Sequence, residues 1–322
     1  MTLYTNAFPT YSQIGRREDL SDAIYDITPT KTPFISGIAK TSAEQTNHEW
    51  QTDSLDANVD TNQQLEGDVV GSVTAATATT RLGNTCEIAR KAFAVTGTSE
   101  VVNKAGRKSE LKYQILKNSR ALMRDIETSL LANKAKNAGN STTARVAAGV
   151  ESWIATNSSR GTNGDDPAGT GADTATDGTQ RALTESLLKS VLKDCFDAGG
   201  DPDTILCSSK HKQTISGFTG NATRQKDAMD RTLVASIELY QSDFGDLQIF
   251  PHRFMEGSSG GTPGSIRSVL VLQKDMWAFA SLRSPAIYDL ARTGDAEPRM
   301  ILAEYTLEAR NEAASGIVAD LS

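Results

Sequence analysis

A long uninterrupted helical pattern at residues 107–138 constrains the fold of this chain more than any other feature. Its apolar residues recur at helical spacing: Leu111, Ile115, Leu122, Ile126 and Leu130. No Gly or Pro interrupts the pattern before Gly139. At 1.5 Å per residue, it predicts a helix of about 45 Å. Because its apolar stripe is narrow, we expect this helix to pack lengthwise on one face of a sheet.

Strand patterns surround this helix. Residues 41–104 are rich in Thr and Val in short runs broken by Gly, and they predict a long two-stranded excursion with a polar tip. Residues 268–321 are also strand-rich. Residues 156–181 contain almost only Gly, Thr, Asp, Asn and other small polar residues, which predicts a flexible surface loop.

A second helix is predicted after Thr184, a good N-cap residue, and it ends at Gly199 and Gly200. Its expected buried face consists of Leu187, Leu188, Val191, Leu192, Cys195 and Phe196. A strand at 205–207, a helical turn near 210–216 and a hairpin of strands 233–241 and 247–250 follow. This order of elements predicts an α+β fold.

The stretch "AIYDITPTKTPFISGIAK" at residues 23–40 is apolar but carries Pro29 and Pro33. Since X-Pro steps favour an extended backbone, an extended arm is predicted, after a short helix at 17–25. An extended apolar segment cannot bury its own surface. We expect Ile27, Phe34, Ile35 and Ile38 to pack beneath the long helix, either of the same chain or of a neighbour.

Charge is segregated along the chain. Residues 41–80 contain no Lys or Arg but seven carboxylates, at Glu44, Glu49, Asp53, Asp56, Asp60, Glu66 and Asp68. Residues 103–138 are predominantly basic. The net charge of −7 argues against a dedicated nucleic-acid-binding protein.

The sequence offers no catalytic site. His48, His211 and His252 lack metal-ligand spacing, and no nucleotide-binding glycine motif is present, so no metal or cofactor is expected. Ser259 matches G-x-S-x-G, but no His follows it to complete a triad. The three cysteines fit buried thiols. No signal peptide or membrane-spanning run is apparent.

Four blocks, in this order, resemble the major capsid proteins of tailed bacteriophages, which share the Hong Kong 97-like fold. They are "DLSDAIYDITPTKTPFISGI", "LTESLLKSVLKDCFDAGGDPDTILCSSKHKQTISGF", "LYQSDFGDLQIFPHRFM" and "AIYDLARTGDAEPRMILAEYTLEARNEAASGIV". The resemblance implies a non-enzymatic subunit that forms the hexamers and pentamers of an icosahedral head around double-stranded DNA.

The resemblance also implies a division of the chain. The N-terminal arm covers residues 1–43, the extended loop 44–92, and the peripheral domain 93–155 with its spine helix at 107–138. The flexible loop 156–181 precedes an axial domain at 182–262, and strands at 263–322 complete the peripheral domain.

In such proteins the extended loop lies across a neighbouring subunit. Its carboxylates, Asp53, Asp56, Asp60, Glu66 and Asp68, are therefore expected to meet a basic surface, for which the spine offers Arg107, Lys108, Lys112, Arg120 and Arg124. With Ile27, Pro29, Pro33, Phe34 and Ile35 of the arm, they are the candidate interface residues.

The resemblance implies further partners. The arm begins almost at Met1, so a separate scaffolding protein is expected, together with a portal. Some members join subunits through an isopeptide bond from a loop Lys, but no Lys lies between Lys40 and Lys91. A cement or decoration protein is the expected substitute. The inner face would contact DNA without sequence specificity.

Three alternatives stay open at this point, one of them a tail-tube or decoration protein, which would be expected to lack the long helix and the axial block. An encapsulin-type compartment has the same fold but encloses an enzyme. A serine hydrolase using Ser259 belongs to a different class.

Overall fold

The computed structural model describes residues 30–55, 58–67, 71, 76, 78–218, 238–255 and 267–322. Within these ranges the helices α1–α5 are Pro33–Gly37, Gly97–Val101, Glu110–Leu131, Glu185–Asp197 and Ser209–Ser216. The strands β1–β12 are Ala39–Ser42, Asn47–Thr52, Thr80–Thr85, Glu87–Thr96, Ser158–Ser159, Thr204–Cys207, Leu239–Ser242, Gly245–Pro251, Val269–Leu272, Trp277–Asp289, Ala296–Ala309 and Gly316–Val318. Helices and strands are mixed, as the sequence predicts.

Three sheets organise the strands. One has four strands in the order β1-β10-β11-β4, one has six in the order β5-β12-β9-β6-β8-β7, and β2 and β3 form a separate hairpin. The hairpin confirms the two-stranded excursion, since β2 and β3 pair antiparallel from Asn47 with Thr85 to Thr52 with Thr80. The predicted strand at 205–207 and the helical turn near 210–216 correspond to β6 and α5.

The long helix α3 is shorter than predicted. It has 22 residues, which corresponds to roughly 33 Å. It starts at Glu110 because the Ser109 hydroxyl and the Glu100 carboxylate accept hydrogen bonds from its first N–H groups. It ends at Leu131, where Ala132 adopts an extended backbone, and the segment at Gly149 packs so closely on Ala132 that no room is left for a Cβ atom at Gly149.

The buried side of α3 packs on the four-stranded sheet as expected. Leu122, Ile126 and Leu130 are at most 1% exposed and contact the core that includes Tyr305 and Leu307 of β11. Trp153 and Trp277 are fully buried in the same cluster.

The six-stranded sheet is buried on both faces at its centre. Alternate residues of β6 and β9, among them Leu206 and Leu270, contact the core beneath α3. The residues between them, such as Ile205 and Val271, pack against α4 and α5 in a second core. This double burial explains the nearly continuous apolar run of β9.

Helix α4 begins and ends where predicted. The Thr184 hydroxyl accepts from the N–H of Leu187, and Gly199 follows with a φ of 85°. Phe196, however, was predicted to be buried and is 52% exposed, stacked on Phe244 with ring centroids 4.8 Å apart. It lies at the margin of the helix's apolar face.

The arm differs from the prediction at Pro33, which starts the short helix α1 in place of extended chain. Proline is well suited to the first helical position, because it lacks the N–H that would otherwise need a partner there. Strand β1 then adds to the edge of the four-stranded sheet, parallel to β10. The predicted helix at 17–25 lies outside the described residues.

The predicted flexible loop at 156–181 has defined structure throughout. Both carboxylate oxygens of Asp320 accept from backbone N–H groups, one from Gly161 and one from Gly178. Glu312 accepts from the N–H groups of Ala155 and Thr156. Composition alone suggests flexibility, but carboxylates distant in the sequence satisfy this loop's backbone.

The predicted boundary at residue 262 falls inside the six-stranded sheet. Strands β9 and β12, which follow it, pair with β6 and β5 from the other side of the boundary. The hairpin predicted with strands at 233–241 and 247–250 corresponds to β7 and β8, and residues 233–237 lie outside the described residues.

Candidate subunit interface

The exposed side of α3, with the residues just before it, carries a stripe of positive charge. Lys108, Lys112, Lys117 and Arg120 are all exposed, and we refer to these four residues as the basic stripe. None of them forms an ion pair within the described ranges. Leu116, 51% exposed, lies among them. The stripe therefore exposes cations and one apolar side chain on the surface of the subunit.

Two of the predicted spine cations are already engaged within their own subunit. Arg107 pairs with the Glu110 carboxylate and lies over the Tyr113 ring, with 5.2 Å between the guanidinium carbon and the ring centroid. Arg124 lies over the Phe254 ring at 5.7 Å. They are less available to a partner than the basic stripe.

The start of α3 is electrostatically fixed. The Glu100 carboxylate accepts from the N–H groups of Glu110 and Leu111 at 2.9 and 3.2 Å. The pKa of Glu100 is lowered, chiefly by a hydrogen bond from Ser109. Lys104 donates to the carbonyls of Ser99 and Glu100, both at 2.7 Å. The segment leading into the basic stripe is thus held in place.

The tip of the β2–β3 hairpin carries the predicted carboxylates. We define residues 53–67 as the acidic loop, of which 56 and 57 lie outside the described residues. Asp53, Asp60 and Glu66 are exposed. Three apolar side chains are exposed beside them, Leu55 at 97%, Val59 at 67% and Leu65 at 80%. Asp56 and Asp68 lie outside the described residues.

The arm residues have a different environment. Phe34 and Ile35 are 3% and 4% exposed, in the core that also contains Leu122 and Ile126 of the same chain's α3. Pro33 is half-buried. Of the two arrangements that the sequence left open, the described arm packs beneath its own helix. Ile27 and Pro29 lie outside the described residues.

A buried carboxylate and a buried imidazole, which the sequence reasoning missed, join this arm to the rest of the fold. Glu127 of α3 accepts from the N–H groups of Phe34 and Ile35 at 2.7 and 2.9 Å. The Nε2 atom of His252 lies 3.0 Å from the Glu127 Oε1 atom, and both side chains are fully buried. A Glu on the apolar side of a helical pattern is the only sequence signal for this arrangement.

The other side chains that could carry chemistry do not form a common site within the described residues. Burial raises the pKa of the Cys86 thiol to about 11 and those of Cys195 and Cys207 to about 12, so all three stay protonated near neutral pH. The described residues contain no cluster of side chains suited to a metal ion. Their helices include none with the length and apolarity to span a bilayer. Ser259 lies outside the described residues.

Comparison with known proteins gives a consistent result. The family model of the SU10 major capsid protein matches residues 3–322. The major capsid protein of Escherichia phage Phieco32 is 24% identical over 353 residues, covering 97% of this chain and 96% of that protein.

Solved structures agree on the fold. The capsid asymmetric unit of cyanophage A-1(L) matches with a TM-score of 0.64 and 15% identity, covering 98% of this chain and 99% of that one. The capsid of a native GTA particle matches with a TM-score of 0.60 and 10% identity, covering 99% of this chain and 100% of that one.

The fold, with its long helix on a sheet, is similar to that of the capsid chains of cyanophage A-1(L) and of the GTA particle. The chain belongs to the SU10 major capsid protein family, and it is a major capsid protein of the phage virion. Proteins of this family build shells, which decides against the hydrolase alternative and in favour of a phage capsid over an enzyme compartment.

Proposed function

We propose that this chain adopts the Hong Kong 97-like capsid fold and assembles into hexamers and pentamers of an icosahedral head around double-stranded DNA. The acidic loop carries this proposal. Leu55, Val59 and Leu65 are exposed in it, although each apolar side chain of this size contributes roughly 1.5–3 kcal/mol when fully buried. A monomer would gain nothing from exposing them, whereas an assembling subunit can bury them on a neighbour.

The proposed divisions of the fold follow the sheets. The arm ends with α1 and β1, and the acidic loop with β2 and β3 forms the extended loop. Helix α3 and the four-stranded sheet form the peripheral domain. The α4–α5 side of the six-stranded sheet forms the axial domain, and β9 and β12 join the two domains.

We propose the basic stripe of an adjacent copy as the surface that receives the acidic loop. Asp53, Asp60 and Glu66 complement the charge of the basic stripe, and Leu116 offers an apolar contact. Exposed ion pairs contribute only about 0–1 kcal/mol each. Their role is therefore to orient the encounter and to fix the register, while the apolar side chains supply most of the affinity.

Charge reversal in the loop tests this pairing. We expect Asp53→Lys with Asp60→Lys to slow assembly of the purified chain, followed by light scattering over a series of salt concentrations. The wild-type rate should fall as salt screens the attraction, and the variant should lose that dependence. Asp201→Lys is the matched control, because Asp201 is an exposed carboxylate outside the loop.

A compensating variant separates the surfaces. Lys112→Glu with Arg120→Glu should by itself slow assembly. When these two changes are combined in one chain with Asp53→Lys and Asp60→Lys, the assembly rate should be partly restored. If the reversed loop assembles at the wild-type rate with unchanged salt dependence, the pairing is refuted. If the loop variant fails but the compensating change restores nothing, another surface receives the loop.

The proposed partners follow from the same function. A separate scaffolding protein and a portal would direct assembly, and packaged DNA would border the inner face. No Lys lies between Lys40 and Lys91, so an isopeptide bond has no donor in the loop. A cement or decoration protein would then supply additional strength. Co-purification of assembled particles with such a protein, identified by mass spectrometry, tests this proposal.

A further inference from the structure

The first turn of α1 leaves two backbone donors that the neighbouring arm residues do not satisfy. The Thr32 side chain makes no capping hydrogen bond, and Pro33 has no N–H. The side chains of Phe34 and Ile35 are buried, so their N–H groups need an acceptor inside the protein. Both donate to Glu127, a residue more than ninety positions away in the sequence.

His252 completes the same site in a defined tautomer. The Phe254 N–H donates to the His252 Nδ1 atom at 3.2 Å, so the Nδ1 atom carries no proton. The ring proton is therefore on the Nε2 atom, which donates to the Glu127 carboxylate at 3.0 Å. Glu127 thus accepts three hydrogen bonds, which compensate the cost of burying its charge.

These hydrogen bonds connect three parts of the fold. Phe34 and Ile35 belong to the arm, Glu127 to α3, and His252 directly follows β8 of the six-stranded sheet. Met255, three residues after His252, is fully buried in the core beneath α3. The site is therefore the point where the arm and the six-stranded sheet contact α3 through one shared acceptor.

We propose that Glu127 and His252 form a three-way joint that holds the arm and the six-stranded sheet to α3 together. Without the His252 donor the buried Glu127 carboxylate is held by fewer hydrogen bonds, so its position at the arm N–H groups is less fixed. Because coupling between two contacts is reciprocal, releasing the arm loosens the His252 contact in turn. Glu127 and His252 are positioning residues. If the proposed shell assembly holds, a neighbour that displaces the arm would also change how the six-stranded sheet is held.

Substitution of His252 tests the coupling, because it changes no residue of the arm. In His252→Phe the ring is retained but the donor to Glu127 is lost. We expect hydrogen exchange of the segment 33–38, whose exchanging amides begin at Phe34, to become roughly tenfold faster when measured by mass spectrometry on the full chain. His252→Gln keeps an N–H donor and should restore much of the protection. Exchange at β6 should stay unchanged in both variants.

His211→Phe provides the matched control. His211 is also buried, at 6% exposed, but it lies on α5 against the second core and not at Glu127. We expect it to leave exchange at 33–38 unchanged. The joint is refuted if His252→Phe leaves the arm amides at wild-type protection, or if His211→Phe accelerates them equally.

Glu127→Gln tests the joint from its centre. The amide group can accept through one oxygen only, so one arm N–H loses its acceptor, and exchange should rise both at 33–38 and at 250–255. The ¹⁵N shifts of the His252 ring should also change as its Nε2–H loses the charged acceptor. Unchanged exchange and ring shifts would contradict the proposal. Should this variant fail to fold, the two His252 variants decide the question alone.

Discussion

Raising the pH from 4.5 to 7.5 should destabilise this protein through one buried carboxyl group. Glu151 is 7% exposed, and its carboxylate accepts a hydrogen bond from the Ser268 hydroxyl. Burial raises the pKa of Glu151 from 4.5 to about 7, and Asp177 and Asp320 raise it further, while Ser268 and Arg160 oppose the rise. The group is therefore neutral in the folded protein at pH values where it is ionised in the unfolded chain.

The magnitude follows from the difference between the two pKa values. The folded state binds the extra proton between pH 4.5 and about 7, so the contribution of Glu151 to stability is fully present below pH 4.5 and is lost as the pH rises to about 7. Each pKa unit corresponds to about 1.4 kcal/mol, so the loss is about 3 kcal/mol. Above pH 7 this contribution stays constant.

Comparison with Glu151→Gln isolates this contribution, because carboxyl groups that do not interact with Glu151 titrate equally in both proteins. Urea unfolding of the unassembled chain, followed by circular dichroism from pH 4.5 to 8, gives the free energy of unfolding of each. The wild type should lose about 3 kcal/mol relative to the variant over this range. A difference that varies by less than about 0.5 kcal/mol would refute the argument.

Two further pairs of substitutions, each a test with its control, probe the packing. Ile126→Ala should lower the free energy of unfolding by about 2–5 kcal/mol, because Ile126 is fully buried. Leu116→Ala, on the exposed side of the same helix, should change it by less than about 0.5 kcal/mol. Equal urea midpoints for the two variants would contradict the assigned faces. Gly149→Ala would place a Cβ atom 1.9 Å from the Ala132 carbonyl oxygen and should cost about 3 kcal/mol, whereas Gly294→Ala, with nothing within 4 Å, should unfold at nearly the wild-type temperature.

The sequence predicted those elements whose signals are local. Thr184 and Gly199 marked both ends of α4, and the apolar period located α3 and its buried face. The ends of α3 were not predictable, because its first N–H groups bond to Glu100 and its last turn leads into Ala132, which the distant Gly149 contacts. Both contacts involve residues outside the periodic pattern.

The candidate interface was predictable in part. The charge pattern located the acidic loop and the basic stripe, because opposite charge blocks are visible in the sequence. Sequence patterns could not show that Arg107 and Arg124 are engaged within the subunit, or that Glu127 satisfies the arm's N–H groups. Those facts depend on which distant segments the fold brings together, and no local pattern encodes them.

The most direct test of the account is electron microscopy of the purified full-length chain under assembly conditions. If the acidic loop docks on neighbouring copies, the chain should form icosahedral shells, or free hexamers and pentamers. In these particles the loop should be ordered and should lie on the adjacent subunit. A chain that stays a monodisperse monomer at every salt and protein concentration, with its loop exposed, would contradict the account.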